Sequence, residues 1–499
     1  MSLTKREIQH GFGALKKMAR KSYQKGAFTD AMHYLRVCSS IAGQFNLQYA
    51  DDDMEILMKQ IAERIIIRVK DFEPNTAHWV LYDDFCTTYV LGLQWLEAMV
   101  LSGRKILYIT TRNISAESRH KNILEKVAEY ENVTTVIIPQ GDEFKRAQAL
   151  YDTIVQFKPS KLVMHKSANL SVINLVLPVL PESVTSYVIN LSDQTFWLGV
   201  RDIDYCLEFR QFGASVSLQR RGLRPEQLLL VPFYPADDRN VFAGFPVECT
   251  ADKVVVFSGG DYYKTLDEKR VFWKLIQRLL KTFPQLVFLF ATKNNPEGNS
   301  EIHHFIKENH FEGRFIYIGF RPDIYQVFAH CDIYMGTSPT SGSLMSQLAA
   351  INAKPILQYY EPGTPDDETE QALCINEDFN ISFQDEDAFL HEAEMLITDK
   401  MYRQKQGERL KHAMMQHNQF NGLVLKTLET DVTHMAIREY AIDYEELDNR
   451  WYYLEKAGYV NALPYIYSTL GAGNCLKYAP ALFVKKNWRR LVKKAKKLR

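Results

Sequence analysis

The chain has 499 residues, 46% of them hydrophobic and 24% charged, enough for two large domains with an ordinary globular core. Its 60 Lys and Arg balance 60 Asp and Glu, but nine of the basic residues lie in Lys485–Arg499, leaving minus nine on the rest. This excludes a nucleic-acid-binding body, which would carry its basic face on the folded domains. Seven scattered cysteines without a C-x-x-C pair indicate neither a disulfide framework nor a zinc site, and fit reduced thiols in a cytosol. The N-terminus lacks the apolar core of a signal peptide. No apolar run reaches the roughly 18 residues that a membrane span needs.

Residues 5 to about 70 read as helices, with apolar positions at helical spacing through Leu15, Met18, Tyr23, Met32, Leu35 and Cys38. Gly26 breaks the pattern and Thr29 or Asp30 is the expected cap, which makes one tetratricopeptide-like hairpin. A single copy of a unit that normally needs about three favours a helical extension packed on the next domain. Strand-like runs at His78–Tyr82, Lys105–Ile109, Val133–Pro139, Lys161–His165 and Ser186–Asn190 then alternate with helical stretches, among them Thr87–Met99. A loop-rich passage, Pro225–Asp252, leads to strands at Val254–Phe257, Leu286–Phe290, Phe315–Ile318, Asp332–Met335 and Pro355–Gln358, with helices between. Strands separated by helices predict two parallel, doubly wound sheets with a ligand cleft at their carboxyl ends. The chain is helical and charged from Asp385 to about Leu454, then aromatic, then basic. The expected divisions are 1–72, a helical extension; 73–240 and 241–400, two Rossmann-like domains; 401–460, helical; and 461–499, a membrane-associating tail.

Chemistry concentrates in the second domain. The loop Gly336-Thr-Ser-Pro-Thr-Ser-Gly-Ser343 opens a helix, so Ser341, Gly342 and Ser343 offer hydroxyls and free N–H groups to an anion. A Ser-Gly helix cap without a ligand reads the same way. Neither a Walker lysine pattern nor G-x-G-x-x-G is present, which argues against a kinase or dehydrogenase. Lys264 follows the turn Ser258-Gly259-Gly260 and is read alone as either a phosphate contact or a solvated lysine. In the tail, Val484, Trp488, Leu491 and Val492 share one helical face among the basic residues, an arrangement suited to an anionic leaflet and equally found in a solvated tail.

The order of elements from Val254 to Tyr360 resembles the donor-binding domain of GT-B glycosyltransferases, including the Ser258-Gly-Gly260 turn, Lys264, the Gly319-Phe320 turn and the small-residue loop. The segment Asn190-Leu-Ser-Asp-Gln-Thr-Phe-Trp-Leu-Gly199 is similar to one in bacterial GT-B enzymes related to cytosolic N-glycosyltransferases and O-GlcNAc transferases. That resemblance implies an α/β fold of two Rossmann-like domains and transfer of sugar from a nucleotide-sugar, UDP-linked, to a lipid-linked glycan or surface polysaccharide precursor. A protein acceptor and a catalytically silent partner subunit are the alternatives it leaves. It implies metal-independent chemistry with no cofactor; the basic tail Lys485–Arg499 adds the expectation of a cytoplasmic protein peripheral on the membrane, and the charge distribution that of no nucleic-acid partner. Donor contacts are expected at Ser258, Gly259, Gly260, Lys264, Phe320, Arg321 and Ser341–Ser343, with Lys293 in reserve. Asp193 is the candidate catalytic base or acceptor-orienting group, and Asp84, Gln194 and Arg210 are acceptor-side candidates. Phe196 and Trp197 read as packing. The chain departs from the pattern at Leu191 and Gln194, where related enzymes have histidines, and at Leu348, where retaining enzymes often have glutamate.

Overall fold

The computed structural model describes residues 2–84, 91–113, 118–234, 240–246, 252–293, 300–359, 367–373 and 379–497. Side chains are described for these except 118–122, 300 and 489–497. The start of the expected Thr87–Met99 helix lies outside the described residues, and its described part is Leu91–Val100.

The first sheet holds seven parallel strands: β1 (Asn75–Asp83), β2 (Lys105–Thr110), β3 (Val133–Ile137), β4 (Pro159–His165), β5 (Thr185–Ile189), β6 (Tyr205–Glu208) and β7 (Leu228–Leu230). Their order is β3-β2-β1-β4-β5-β6-β7. The second holds β8 (Val254–Gly259), β9 (Leu286–Ala291), β10 (Phe315–Tyr317), β11 (Ile333–Met335), β12 (Ile356–Tyr359) and β13 (Ser382–Phe383), in the order β10-β9-β8-β11-β12-β13. Continuous apolar runs such as Val80-Leu-Tyr82 and Leu286–Phe290 are buried on both faces, as parallel sheets covered by helices require. Both orders reverse beside the first strand, β1 to β4 and β8 to β11, and each reversal opens a crevice at the carboxyl ends.

The extension is three helices, Lys5–Gln24, Phe28–Phe45 and Asp52–Ile65. Thr4 and Glu7 form a capping box on the first. The second starts earlier than expected, with Ala27 at the cap and no side-chain bond, because Gly26 at φ 73° turns the chain directly into it. The third is capped by Asp51, which also receives Lys16 at 2.6 Å.

What a neighbouring repeat would cover is covered by the chain's own end. Ile466, Leu470 and Leu482 pack with Ile8, Phe12 and Leu15 in one core. A Cβ on Gly11 would come within 2.9 Å of Leu482, so that glycine sets the approach of the first helix. The segment 461–499 is therefore not one tail. Its helix Ala462–Tyr478 and the start of Pro480–Lys497 close the extension, and Lys485 pairs with Glu7 at 2.5 Å. Val484 and Trp488 remain exposed. No helix among the described residues is long and apolar enough to cross a membrane.

The region expected as a single helical segment, 401–460, also divides. Helix Lys400–Ala413 belongs to the second domain through Leu410, whereas His417–Thr430 returns to the first, where Phe420 meets Trp95 edge-on at 5.9 Å. Helix Tyr444–Ala457 then lies across both domains: Leu447 packs with Phe212 and Val216 of the first, and Leu454 in the core of the second.

One buried carboxyl contact locks the extension to the first domain. Glu55 is 2% exposed and accepts the backbone N–H groups of Gly199 (2.8 Å) and Val200 (3.2 Å). Burial pushes its pKa up from 4.5 to about 8. The folded chain thus holds a proton that the unfolded chain releases, and stability falls as pH rises from about 4.5 to about 8. A Glu55→Gln chain keeps the acceptor oxygen and loses the charge. Urea midpoints are expected to match wild type at pH 5 and to exceed it at pH 8, by on the order of 2 kcal/mol. Equal midpoints at pH 8 would refute a buried charge at this contact.

Candidate functional site

The loops after β8, β9, β10 and β11 in one domain, and after β5 and β6 in the other, line a single cleft of about 510 Å³. That is the size of a site for a nucleotide-sized ligand.

On the second-domain side the loop after β11 is fixed from beneath. A Cβ at Gly336 would fall 1.8 Å from Gln358 Oε1, and Gln358 Nε2 donates to Thr337 O at 3.1 Å. Thr337 Oγ1 donates to Thr340 O at 2.7 Å. Helix Ser343–Ile351 then begins at Gly342 with no side-chain cap, so its first-turn N–H groups and the positive end of its dipole face the cleft. Lys264 stands opposite, its Nζ 3.5 Å from Ser341 O. It keeps some surface open to the cleft, yet burial pushes its pKa down. Asp261 opposes that shift, and the nearby Arg210 and Arg450 add to it.

Gly259 and Gly260 line the cleft beside Lys264, where a Cβ on Gly259 would come 3.2 Å from Ala291 O. Phe320, more than a third exposed, lines the far end after Gly319, whose φ of 69° suits glycine. Lys293 lines that end as well. Two expected donor contacts are corrected. Ser258 is sealed inside β8 and does not line the cleft. Arg321 lines it, but its guanidinium grips Asp323 at 2.6 and 2.7 Å and donates to Gly244 O at 2.7 Å, so it braces the turn.

The first-domain side carries a buried ion triad. Arg210 donates to both oxygens of Asp193, at 2.6 and 3.1 Å, and to Glu368 of the second domain. Burial alone would lower the Arg210 pKa; the two carboxylates reverse this and raise it. Ser341 Oγ also donates to Glu368, at 3.3 Å, so the triad joins the loop after β11 to the opposite domain. Asp193 is therefore not an open base here, because Arg210 engages both its oxygens. Beneath it, Arg221 donates to the carbonyls of Asp193 and Thr195 at 2.7 Å, and Asn190 donates to Glu208 at 3.0 Å. The segment 190–199 thus holds the loop in place, with Phe196 and Trp197 buried as packing.

Gln194 lines the cleft, with Arg450 Nη2 3.5 Å from its Oε1. Asp84 does not; its carboxylate accepts Thr111 Oγ1 at 3.0 Å and Tyr82 OH at 3.2 Å below the end of β1. Sequence reasoning missed Glu368 and Arg450. Glu368 sits in an acidic run that reads as solvated, and Arg450 on a charged helix, and neither carries a local signal.

Among the described residues, no group of three or more His, Cys, Asp or Glu is placed to hold a metal ion. No protein-family profile matches the chain, and no curated protein matches its sequence. Solved structures do match. An O-GlcNAc transferase mutant from Thermobaculum terrenum aligns over 90% of this chain and 83% of its own, at 12% identity and a TM-score of 0.53. HepE from Anabaena, in complex with UDP-glucose, covers 71% and 99% at 14% identity and 0.51. The fold is that of the GT-B glycosyltransferases. A putative UDP-N-acetylglucosamine 2-epimerase from Listeria monocytogenes also aligns, over 74% and 100% at 9% identity and 0.50. The same two-domain frame thus includes a protein named for epimerisation, and the choice of reaction rests on the residues in the GT-B cleft.

Proposed function

We propose that the protein is a glycosyltransferase that takes a sugar from a UDP-linked donor and passes it to a lipid-linked glycan or surface polysaccharide precursor. The observation that carries this reading is the convergence of Lys264, Arg210 and the uncapped start of helix Ser343–Ile351 on one interdomain cleft. Departure of a nucleoside diphosphate develops about two negative charges, and preorganised cations and N–H groups are what stabilise them. These groups supply that role without a metal or cofactor. HepE, in complex with UDP-glucose, supports uracil as the base. In this reading Asp193 positions Arg210, and catalysis comes chiefly from leaving-group stabilisation. The test is a thermal-shift screen across UDP-, GDP- and CMP-sugars, followed by UDP release assays. A UDP-sugar is expected to raise the melting temperature by mass action and to be turned over. No stabilisation by any donor would sink the proposal.

Two observations favour a second reading, a catalytically silent GT-B partner subunit: both oxygens of Asp193 are engaged, and Leu191 and Gln194 stand where related enzymes have histidines. Tight UDP binding without UDP release, alongside association with another transferase, would select it.

We also place the protein at the cytoplasmic face of an anionic membrane. Support comes from helix Pro480–Lys497, with Val484 and Trp488 exposed on it. The side chains from 489 onward, on which most of the basic charge sits, lie outside the described residues. Each basic residue near an anionic leaflet contributes about 1 kcal/mol. Deleting 488–499 spares the Lys485–Glu7 pair and is expected to abolish co-sedimentation with phosphatidylserine-containing vesicles. Unchanged sedimentation would discard the assignment.

A further inference from the structure

A second pocket, of about 480 Å³, lies where the extension, the first domain and helix Tyr444–Ala457 meet. Its walls come from Lys5 and Asn46–Ala50, from Arg220, and from Tyr444, Glu445 and Asp448. Arg220 stacks on the Tyr444 ring at 4.0 Å, and Tyr49 meets the same ring edge-on at 5.6 Å. Tyr49 OH donates to Asp448 at 3.0 Å.

The lining excludes several ligand classes. Lys5 and Arg220 face Glu445 and Asp448, so a polyanion meets no excess of positive charge. Apart from Leu47 and Ala50 its lining side chains are polar or aromatic, which does not suit an acyl chain. What remains is a set of amide, carboxyl and phenol groups around aromatic rings, and these match a surface dense in hydroxyls. Asn46 is 2% exposed; its Nδ2 donates to Gln194 O at 2.8 Å, while its Oδ1 has no donor.

The pocket is also one residue from the donor cleft. Gln194 lines the cleft and accepts from Asn46, which lines the pocket. Helix Tyr444–Ala457 reaches both, with Asp448 in the pocket and Arg450 beside Gln194. We infer that this pocket binds the sugar units of a hydroxyl-rich, uncharged glycan, the part of the acceptor that does not react. That the glycan is an acceptor rests on the transferase reading; that the pocket binds glycan does not.

The test is binding of the full chain to an array of neutral oligosaccharides, with UDP affinity measured in parallel by calorimetry. Wild type is expected to retain a subset of the glycans, and Tyr444→Ala to lose that binding at least tenfold with UDP affinity unchanged. Arg220→Ala removes an exposed side chain, is expected to leave the fold intact, and should weaken the same glycans. Overturning results are a wild-type chain that retains no glycan, or variants that bind as wild type does. Glycan binding without UDP binding would instead fell the transferase reading and leave the pocket standing.

Discussion

An Arg210→Ala chain is expected to lose about 3–5 kcal/mol of stability and at least about a hundredfold in sugar transfer. The two losses share one cause. Arg210, Asp193 and Glu368 are 4%, 2% and 8% exposed, and among the described residues the arginine is the only cation bonded to either carboxylate in the triad. Removing it leaves two acids facing each other away from water, where the charged form of each is disfavoured. The variant should then hold protons that its unfolded chain releases, so its deficit is larger at pH 7 than at pH 4. Denaturant midpoints at both pH values check this, and a deficit independent of pH would refute the buried triad. The companion change Glu368→Gln keeps an oxygen for Arg210 and Ser341 but removes a charge that competes with phosphate for the same cation. UDP affinity is expected to rise several-fold in that variant. A weaker UDP complex would show that Glu368 supports the donor directly.

The parts of the site that could be read in the sequence are those whose chemistry is local. A glycine turn after β8, a lysine a few residues on, and serines at a helix start each do their work within one loop, so spacing reveals them. The second-domain strands were legible for a related reason: a strand covered on both faces must be an apolar run. The exception in that domain is β13, which has only two residues; in the first domain β6 ends in a glutamate and makes no continuous apolar run, and β7 lies inside the passage Pro225–Asp252 that reads as loop. The electrostatics were not legible at all. Glu368 reaches Arg210 across 158 residues of chain, and Arg450 reaches Gln194 across 256. Asp193 carried the letters of a catalytic segment, but whether a carboxylate is open or gripped depends on what the fold sets beside it. The bounds expected for the tail, 461–499, misled in the same way. Ile466, Leu470 and Leu482 are apolar enough for a membrane face, and only the docked N-terminal helix shows that they are core.

Lys264 gives the sharpest separation of stability from function. Burial holds its pKa below the ordinary 10.5, and Arg210 and Arg450 repel it further. The folded, empty protein therefore disfavours the lysine's charge, and stability rises with pH through the window from that lowered value up to 10.5. A Lys264→Met chain keeps the aliphatic stem without the charge, so its empty form is expected to melt higher than wild type at pH 7. The same change should weaken UDP binding about 10- to 100-fold, since the diphosphate loses the cation aimed at it from beside Ser341. The two effects oppose each other, which an incidental surface lysine would not produce. Proton linkage gives an independent reading of the same group. A bound diphosphate favours the ammonium and raises the pKa back, so UDP binding at alkaline pH should take up a proton from the buffer. Calorimetry in two buffers of different ionisation enthalpy would show it as a difference in heat. In Lys264→Met that difference should disappear, and a buffer dependence equal to wild type would remove Lys264 from the phosphate site.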